Sequence, residues 1–170
     1  MRASGANVSE LFVSFQGEGV HAGRRQAFVR FGGCPLRCRY CDTPESLTRV
    51  ATCRIVGADG IHQRPNPLSV ADLEAEIASL IATAPPLHAI AVTGGEPLVQ
   101  VDFLESWLAS RGDALPILLE TAGIWPERLA RVLPWTAIVS LDVKCPSNTG
   151  ERARWDEHEA CIAAAVAAGC

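Results

Sequence analysis

No apolar run in the 170 residues approaches the ~20 that a membrane helix needs, so a helical membrane span is excluded. The amino terminus, Met1 to Glu10, is polar and lacks the apolar core of a secretion signal, which makes a cytoplasmic, reducing location the default. Positive charge is not in excess either. Fifteen Lys+Arg stand against 19 Asp+Glu, for a net charge of -4. That balance argues against wholesale nucleic-acid binding while leaving room for a local basic site. There is no internal repeat and no low-complexity tract. What remains is a chain of ordinary domain size, 1–170, read as one domain. Its 48 % hydrophobic residues suffice for a core that needs no disulfide or zinc to fold.

Against those absences, seven cysteines are many. In a reducing compartment disulfides account for them poorly. Cys53, Cys145, Cys161 and Cys170 are scattered, whereas Cys34, Cys38 and Cys41 crowd into eight positions. Soft thiolate sulfur selects iron–sulfur clusters, zinc or copper(I) over hard cations. A four-iron cluster usually takes four cysteines, so three leave one iron open to a small molecule. Gly32 and Gly33 let the backbone turn tightly before the loop, and Tyr40 falls beside whatever the metal binds. The competing reading is a structural zinc with His21, His62 or His88 as fourth ligand. Zinc loops more often come as two C-x2-C knuckles, and this loop has one such pair.

Val8–Phe15 and Gln26–Phe31 read as strands around the glycine-rich segment 16–23. Residues 44–68, punctuated by Pro44, Gly57, Gly60, Pro65 and Pro67, show no helical period and read as an irregular insertion. Ser69 then caps a helix with Asp72 and Glu74 in its first turn and Leu73, Ile77, Leu80 and Ile81 on one face. Beyond it come a strand at Ala89–Thr93, a helix over 100–110, a strand at Pro116–Leu119 and a helix over 125–133. A strand at Ala137–Val143 and a final helix over 153–168 complete the pattern. Such alternation predicts parallel strands with right-handed crossovers, hence an α/β sheet or barrel. In such folds chemistry sits beyond the carboxyl ends of the strands. The cysteine loop, Gly94-Gly95-Glu96-Pro97, Glu120-Thr121 and the stretch Asp142 to Pro146 all fall there, which predicts one shared site. The alternation calls for one more strand after the last helix. Two readings stay open: the carboxyl-terminal part is missing, leaving activity of the chain as it stands in question, or a short variant closes its site by dimerisation. A homodimer is expected, because a short open sheet leaves an edge to cover.

Cys34-Pro-Leu-Arg-Cys38-Arg-Tyr40-Cys41 resembles the C-x3-C-x-aromatic-C signature of radical S-adenosylmethionine (SAM) enzymes, and Gly94-Gly95-Glu96-Pro97 resembles their GGE motif. Phe15-Gln16-Gly17-Glu18-Gly19 and Cys41-Asp42-Thr43 are similar to segments of the 7-carboxy-7-deazaguanine synthase family of queuosine biosynthesis. The resemblance implies an incomplete parallel β/α barrel and a lyase that contracts the ring of 6-carboxy-5,6,7,8-tetrahydropterin, releasing ammonia. It implies a 4Fe-4S cluster on Cys34, Cys38 and Cys41, with SAM against Tyr40, Gly94, Gly95, Glu96, Glu120 and Lys144. The pterin would meet Phe15, Gln16, Gly17, Glu18, Gly19, Arg30 and Thr93, and Mg2+ would bind Thr43. An electron from a flavodoxin- or ferredoxin-type donor would reach SAM through the cluster. The resulting deoxyadenosyl radical would abstract hydrogen from carbon 6, and SAM would be regenerated. No side chain is assigned the bond breaking, since cluster and SAM carry it.

The residue types suit these roles. Glycines at a strand end expose carbonyls, and a carboxylate beside them suits an ammonium ion. Glu120 can accept a pair of ribose hydroxyls. Many family members have Asn where Ala122 stands, so one contact is missing here. Lys144 either meets the SAM carboxylate or pairs with Asp142. Gln16 and Glu18 match the donors and acceptors of a pterin edge. Arg30, flanked by apolar residues, either meets an anion inside the barrel or faces solvent. Two other functions compete: a glycyl-radical-activating enzyme, disfavoured by Gln16-Gly17-Glu18-Gly19, and a noncatalytic metal-binding or decayed homologue. Trp107, Trp125, Trp135 and Trp155 are expected in packing and Arg24-Arg25 in a solvated turn. Cys53, Cys161 and Cys170 are expected to be non-ligands, and Cys145 to lie near the site.

Overall fold

The computed structural model describes residues 5–112 and 115–170, so Met1–Ser4 of the polar amino-terminal segment lie outside the described residues. The elements run β1 (Val8–Phe15), β2 (Arg25–Phe31), β3 (Thr52–Gly57), β4 (Gly60–Pro65), α1 (Val70–Thr83), β5 (Ala89–Gly94) and α2 (Val101–Ser110). They continue with β6 (Ile117–Thr121), α3 (Pro126–Val132), β7 (Ile138–Leu141), α4 (Pro146–Thr149) and α5 (Trp155–Ala168). Seven strands form one open sheet in the order β4-β3-β1-β2-β5-β6-β7. β2, β5, β6 and β7 are mutually parallel. Together with α1 to α3 they make the incomplete β/α barrel that the alternation predicts.

One feature departs from the sequence reading and another was left open by it. Residues 44–68 are not irregular, because they contain the antiparallel hairpin β3–β4 turning at Ala58-Asp59. The pattern is a period of two: Cys53 and Ile55 are buried while Thr52 and Arg54 are exposed. The alternation is short, and β4 is exposed along nearly its whole length, so composition conceals it. As an edge strand β4 carries charge, with Arg64 paired to Asp72 and Glu76 and His62 bonded to Glu76. The feature left open is the direction of β1. β1 lies antiparallel to β2, so its carboxyl end, Phe15, sits opposite Arg25 at the amino end of β2.

Alternation sorts the sheet into two faces. Leu11, Val29, Phe31, Ile90, Val92, Ile117 and Leu119 point outward into one core with Leu73, Ile77 and Leu80 of α1, Phe103, Leu104 and Trp107 of α2, and Leu129 and Val132 of α3. The inner face holds a smaller cluster of Phe28, Ala89, Ala91 and Leu118, with Phe12 and Ile138 packed on it. Phe12 and Phe28 stack at 4.9 Å between centroids. Ala89 and Ala91 carry no bulk, so the middle of this inner surface is low and forms a floor.

α1 starts where its chemistry dictates. The Ser69 side chain accepts from the Asp72 N–H, and the Asp72 carboxylate accepts from the Ser69 N–H, satisfying two donors of the first turn. The Ser69 hydroxyl also donates to the Asp72 carboxylate at 2.6 Å, and this bond first, then that of the Ser69 N–H, holds the carboxyl below its ordinary value of 3.8. Its contribution is therefore complete above that value and fades as pH falls through the lower folded one. Ser69→Ala is expected to lower unfolding free energy by about 1 kcal/mol at neutral pH. Urea unfolding of the two proteins tests this, and the gap should narrow in strong acid.

Candidate active site

A cavity of about 480 Å³ lies on the inner face. Cys34, Cys38 and Cys41 line one end of it and Phe15, Gln16, Gly17 and Glu18 line the other. Because β1 is antiparallel, these ends lie along the strands rather than side by side at their tips. The site is a trough across the inner surface, with Arg30, Thr93 and Glu120 between its ends. Gly94, Gly95, Glu96, Tyr40, Thr43 and Lys144 also line it. Gly19 does not; it opens a short 3-10 turn, Gly19–His21, away from the cavity.

The cysteine loop is gripped from three sides. Gly33 N–H donates to the Ser46 carbonyl and Cys34 N–H to that of Leu47. Gly95 N–H donates to Phe31 O at 3.0 Å and Glu96 N–H to Gly33 O at 2.9 Å. A Cβ on Gly94 would lie 2.1 Å from Phe31 O, and one on Gly95 2.6 Å from Gly33 O and 2.9 Å from Cys34 Cβ. Both glycines are therefore required by backbone approach. The third grip comes from residues 145–151, which the sequence reading did not foresee. Arg39 N–H donates to Thr149 O, Arg37 N–H to the Glu151 carboxylate at 2.6 Å, and the Arg39 guanidinium to Ser147 O.

Glu96 departs most from its expected role. It is buried, and its carboxylate accepts from Leu98 N–H at 3.0 Å, Thr121 Oγ1 at 2.9 Å and Ala122 N–H at 2.7 Å. Burial pushes its carboxyl pKa up, and these donors offset part of that rise. The side chain pins the end of β5 to the end of β6 rather than standing open for an ammonium ion.

Lys144 Nζ bonds the Asp142 carboxylate and sits 5.3 Å from the Tyr40 ring centre. Burial opposes its charge, but the Asp142 bond and the attraction behind it win, raising the ammonium pKa to about 12. Lys144 is thus cationic on the wall beside Cys38. Burial raises the Cys38 thiol, and Lys144 partly counters it. Burial also raises Cys34, with the Leu36 backbone opposing. Both thiols carry protons at neutral pH, and a metal would displace them. Arg30 faces the cavity with an anionic partner already in place, Glu10, at 3.5 Å. Glu10 also pairs with Arg54 and was missed in the sequence. The signal was there: Glu10, Phe12, Ser14 and Gln16 alternate onto the inner face.

Gln16 is buried, and its amide Nε2 donates to Glu120 Oε1 at 2.8 Å across 104 residues of sequence. The span from β1 to β6 crosses β2 and β5, where Ala89 and Ala91 of β5 leave room. Thr43 lines the cavity just before the 3-10 turn Pro44–Leu47. The proposed zinc histidines lie elsewhere. His21 and His88 lie against each other with tilted rings, 4.9 Å between centroids, and His62 bonds Glu76. Among the described residues no three His, Cys, Asp or Glu side chains converge to hold a single metal ion. Cys34, Cys38 and Cys41 are free and all line the cavity, backed by a glycine that admits the backbone, a donor set that suits a cluster held by three thiolates.

Trp107 is fully buried and Trp125 packs against Arg128, but Trp135 and Trp155 are exposed, against the packing expected of them. Cys145 caps α4 and does not line the cavity. No helix of the described residues is long and apolar enough to cross a membrane.

Comparison with known proteins places this geometry in context. The family profile described as Radical SAM superfamily matches residues 28–170. A 7-carboxy-7-deazaguanine synthase from Geobacter sulfurreducens is 40% identical over 162 residues, covering 93% of this chain and 64% of that protein. One from Methanopyrus kandleri is 40% identical over 150 residues, covering 85% of this chain and 59% of that protein. A crystal structure of QueE from Escherichia coli aligns with a TM-score of 0.48 at 22% identity, over 85% of this chain and 63% of that one. The chain thus spans roughly three fifths of the length of the curated relatives it matches.

The packing of Gly95 against Cys34 can be tested directly. Gly95→Ala is expected to push the loop outward and speed alkylation of Cys34 by iodoacetamide about tenfold, with far-UV circular dichroism unchanged. Mass-spectrometric mapping of the modified cysteines measures this; an unchanged rate would show that the loop is positioned without the turn.

Proposed function

This chain belongs to the radical SAM superfamily, and from that premise we propose that it contracts the ring of 6-carboxy-5,6,7,8-tetrahydropterin to 7-carboxy-7-deazaguanine with release of ammonia. One cavity supports this, since the three thiols and the segment Phe15–Glu18 line opposite ends of the same trough. The two relatives at 40% identity, both 7-carboxy-7-deazaguanine synthases, point the same way. The glycyl-radical-activating alternative finds no support in those relatives, and the zinc alternative has no convergent donor set among the described residues.

When bound, the cluster and SAM supply the one-electron reduction and the hydrogen abstraction that start the reaction. The chain's own share is binding, orientation and exclusion of water. Cys34, Cys38 and Cys41 hold the cluster. Gly94 and Gly95 offer backbone to the methionine end of SAM, on a turn that the Glu96 carboxylate keeps rigid. Glu120 takes the ribose hydroxyls, already oriented by Gln16. Lys144, cationic throughout the physiological range, takes the SAM carboxylate beside Tyr40. Gly17 and Glu18 meet the polar edge of the pterin, their amides held by the Gln16 carbonyl, with Phe15 shaping that end. Arg30 takes the substrate carboxylate near Thr93, with Mg2+ on Thr43. A cavity of about 480 Å³ is within the usual range for ligands of this size. A cytoplasmic setting, a flavodoxin- or ferredoxin-type donor and a homodimer that covers the sheet edge complete the proposal, with 1–170 acting as one domain.

Anaerobic reconstitution with iron and sulfide, then incubation with SAM, dithionite and the carboxypterin, is expected to yield the deazaguanine product by liquid chromatography–mass spectrometry. Cys38→Ala should bind little iron and form no product. Cluster-loaded protein that cleaves SAM without forming the product would reject this substrate and keep the superfamily chemistry.

A further inference from the structure

A chain of side-chain amides runs from the cavity to the far side of β2, and its direction is set from the Gln16 end. Gln16 Oε1 accepts from Gly17 N–H at 2.9 Å and from Glu18 N–H at 3.2 Å, so the other end of that amide must be its NH2. The NH2 meets Glu120 Oε1 at 2.8 Å, and a carboxylate only accepts. Its second hydrogen points at Gln26 Oε1, 3.3 Å away. Gln26 is fully buried and therefore turns its own NH2 to His88 Nδ1, at 3.3 Å. His88 must accept at Nδ1, which requires the neutral ring with its proton on Nε2. The ring faces the His21 imidazole at 4.9 Å and feels the charge of Arg24, and its backbone N–H donates to Arg25 O. Burial first, then those two neighbours, hold its pKa below the ordinary value.

Resting on the proposed pterin activity, we infer that Gln26 and His88 are positioning residues. They hold the Gln16 amide with its NH2 toward Glu120 and the cavity, and neither touches substrate. When His88 takes a second proton, Nδ1 becomes a donor and can no longer receive the Gln26 NH2. Gln26 must turn its carbonyl to His88, which brings its NH2 against that of Gln16. Gln16 then loses one of its two acceptors and its orientation loosens. The dependence acts on substrate binding rather than on the hydrogen abstraction, so it belongs in KM more than in kcat.

Nitrogen-15 NMR of the whole chain from about pH 5 to about pH 8 tests the coupling without any turnover. The Gln16 side-chain amide signals are expected to titrate with the His88 ring and to stop doing so in Gln26→Leu. In His88→Asn, whose amide oxygen replaces Nδ1 as acceptor, they should stay at the neutral-ring position throughout. In the loaded enzyme, protonation of His88 should raise the KM for the carboxypterin about tenfold with kcat nearly unchanged, and His88→Asn should abolish that dependence. Gln16 signals that ignore the His88 titration in the parent protein would overturn the relay, whatever the activity. A relay that titrates as described in a protein that forms no product would support the relay and count against the pterin function.

Discussion

A carboxylate surrounded by protein keeps its place only if donors replace the water it has lost, and the buried Glu96 has three. Two belong to the end of β6 and the residue after it, Thr121 and Ala122; the third is the amide of Leu98, in the turn that follows Glu96. Its own backbone N–H reaches Gly33, just before the first cysteine. One residue thus joins the carboxyl ends of β2, β5 and β6. The cysteine loop, the glycine pair and Glu120 take their relative positions from that junction. Removing the carboxylate would leave two backbone donors and a hydroxyl unpaired in a dry place, a penalty far larger than the loss of a surface charge. The glycines before it follow from the same closeness, because no side chain fits between Gly95 and the Cys34 loop.

The second organising constraint is the division of the sheet into unlike faces. The outer face is continuous aliphatic and aromatic packing against three helices, and it supplies most of the burial that holds the fold together. The inner face is small at its centre and polar at its margins. Ala89 and Ala91 keep the floor low; Glu10, Arg30, Gln26, Gln16 and Glu120 stand around it, each paired with another. Polar groups on such a surface are costly unless bonded. Their mutual pairing explains how a chain of this length carries so many there without losing its fold.

Much of this was legible in the sequence where the information is local. The Ser69 cap, the apolar stripe Leu73, Ile77, Leu80 and the alternation of strands and helices after residue 68 needed only neighbours in the chain to be read. So did the three cysteines and Gly94-Gly95-Glu96. What stayed hidden was relational. The hairpin β3–β4 has one exposed strand and a short alternation, which leaves its composition looking like loop. That Glu96 turns inward follows from the donors at Thr121 and Ala122, 25 residues and more away, and the clasp of 145–151 on the cysteine loop spans over 100. Gln16 was marked for substrate, but its bond to Glu120 requires β1 to run against β2, which no local pattern announces.

The account depends most on the three thiols of one loop binding a four-iron cluster with an iron left open to SAM. Electron paramagnetic resonance of the anaerobically reconstituted, dithionite-reduced chain measures this directly. The account predicts a reduced four-iron signal whose g-values move when SAM is added. A signal indifferent to SAM, or stoichiometric zinc in place of any cluster, would contradict it.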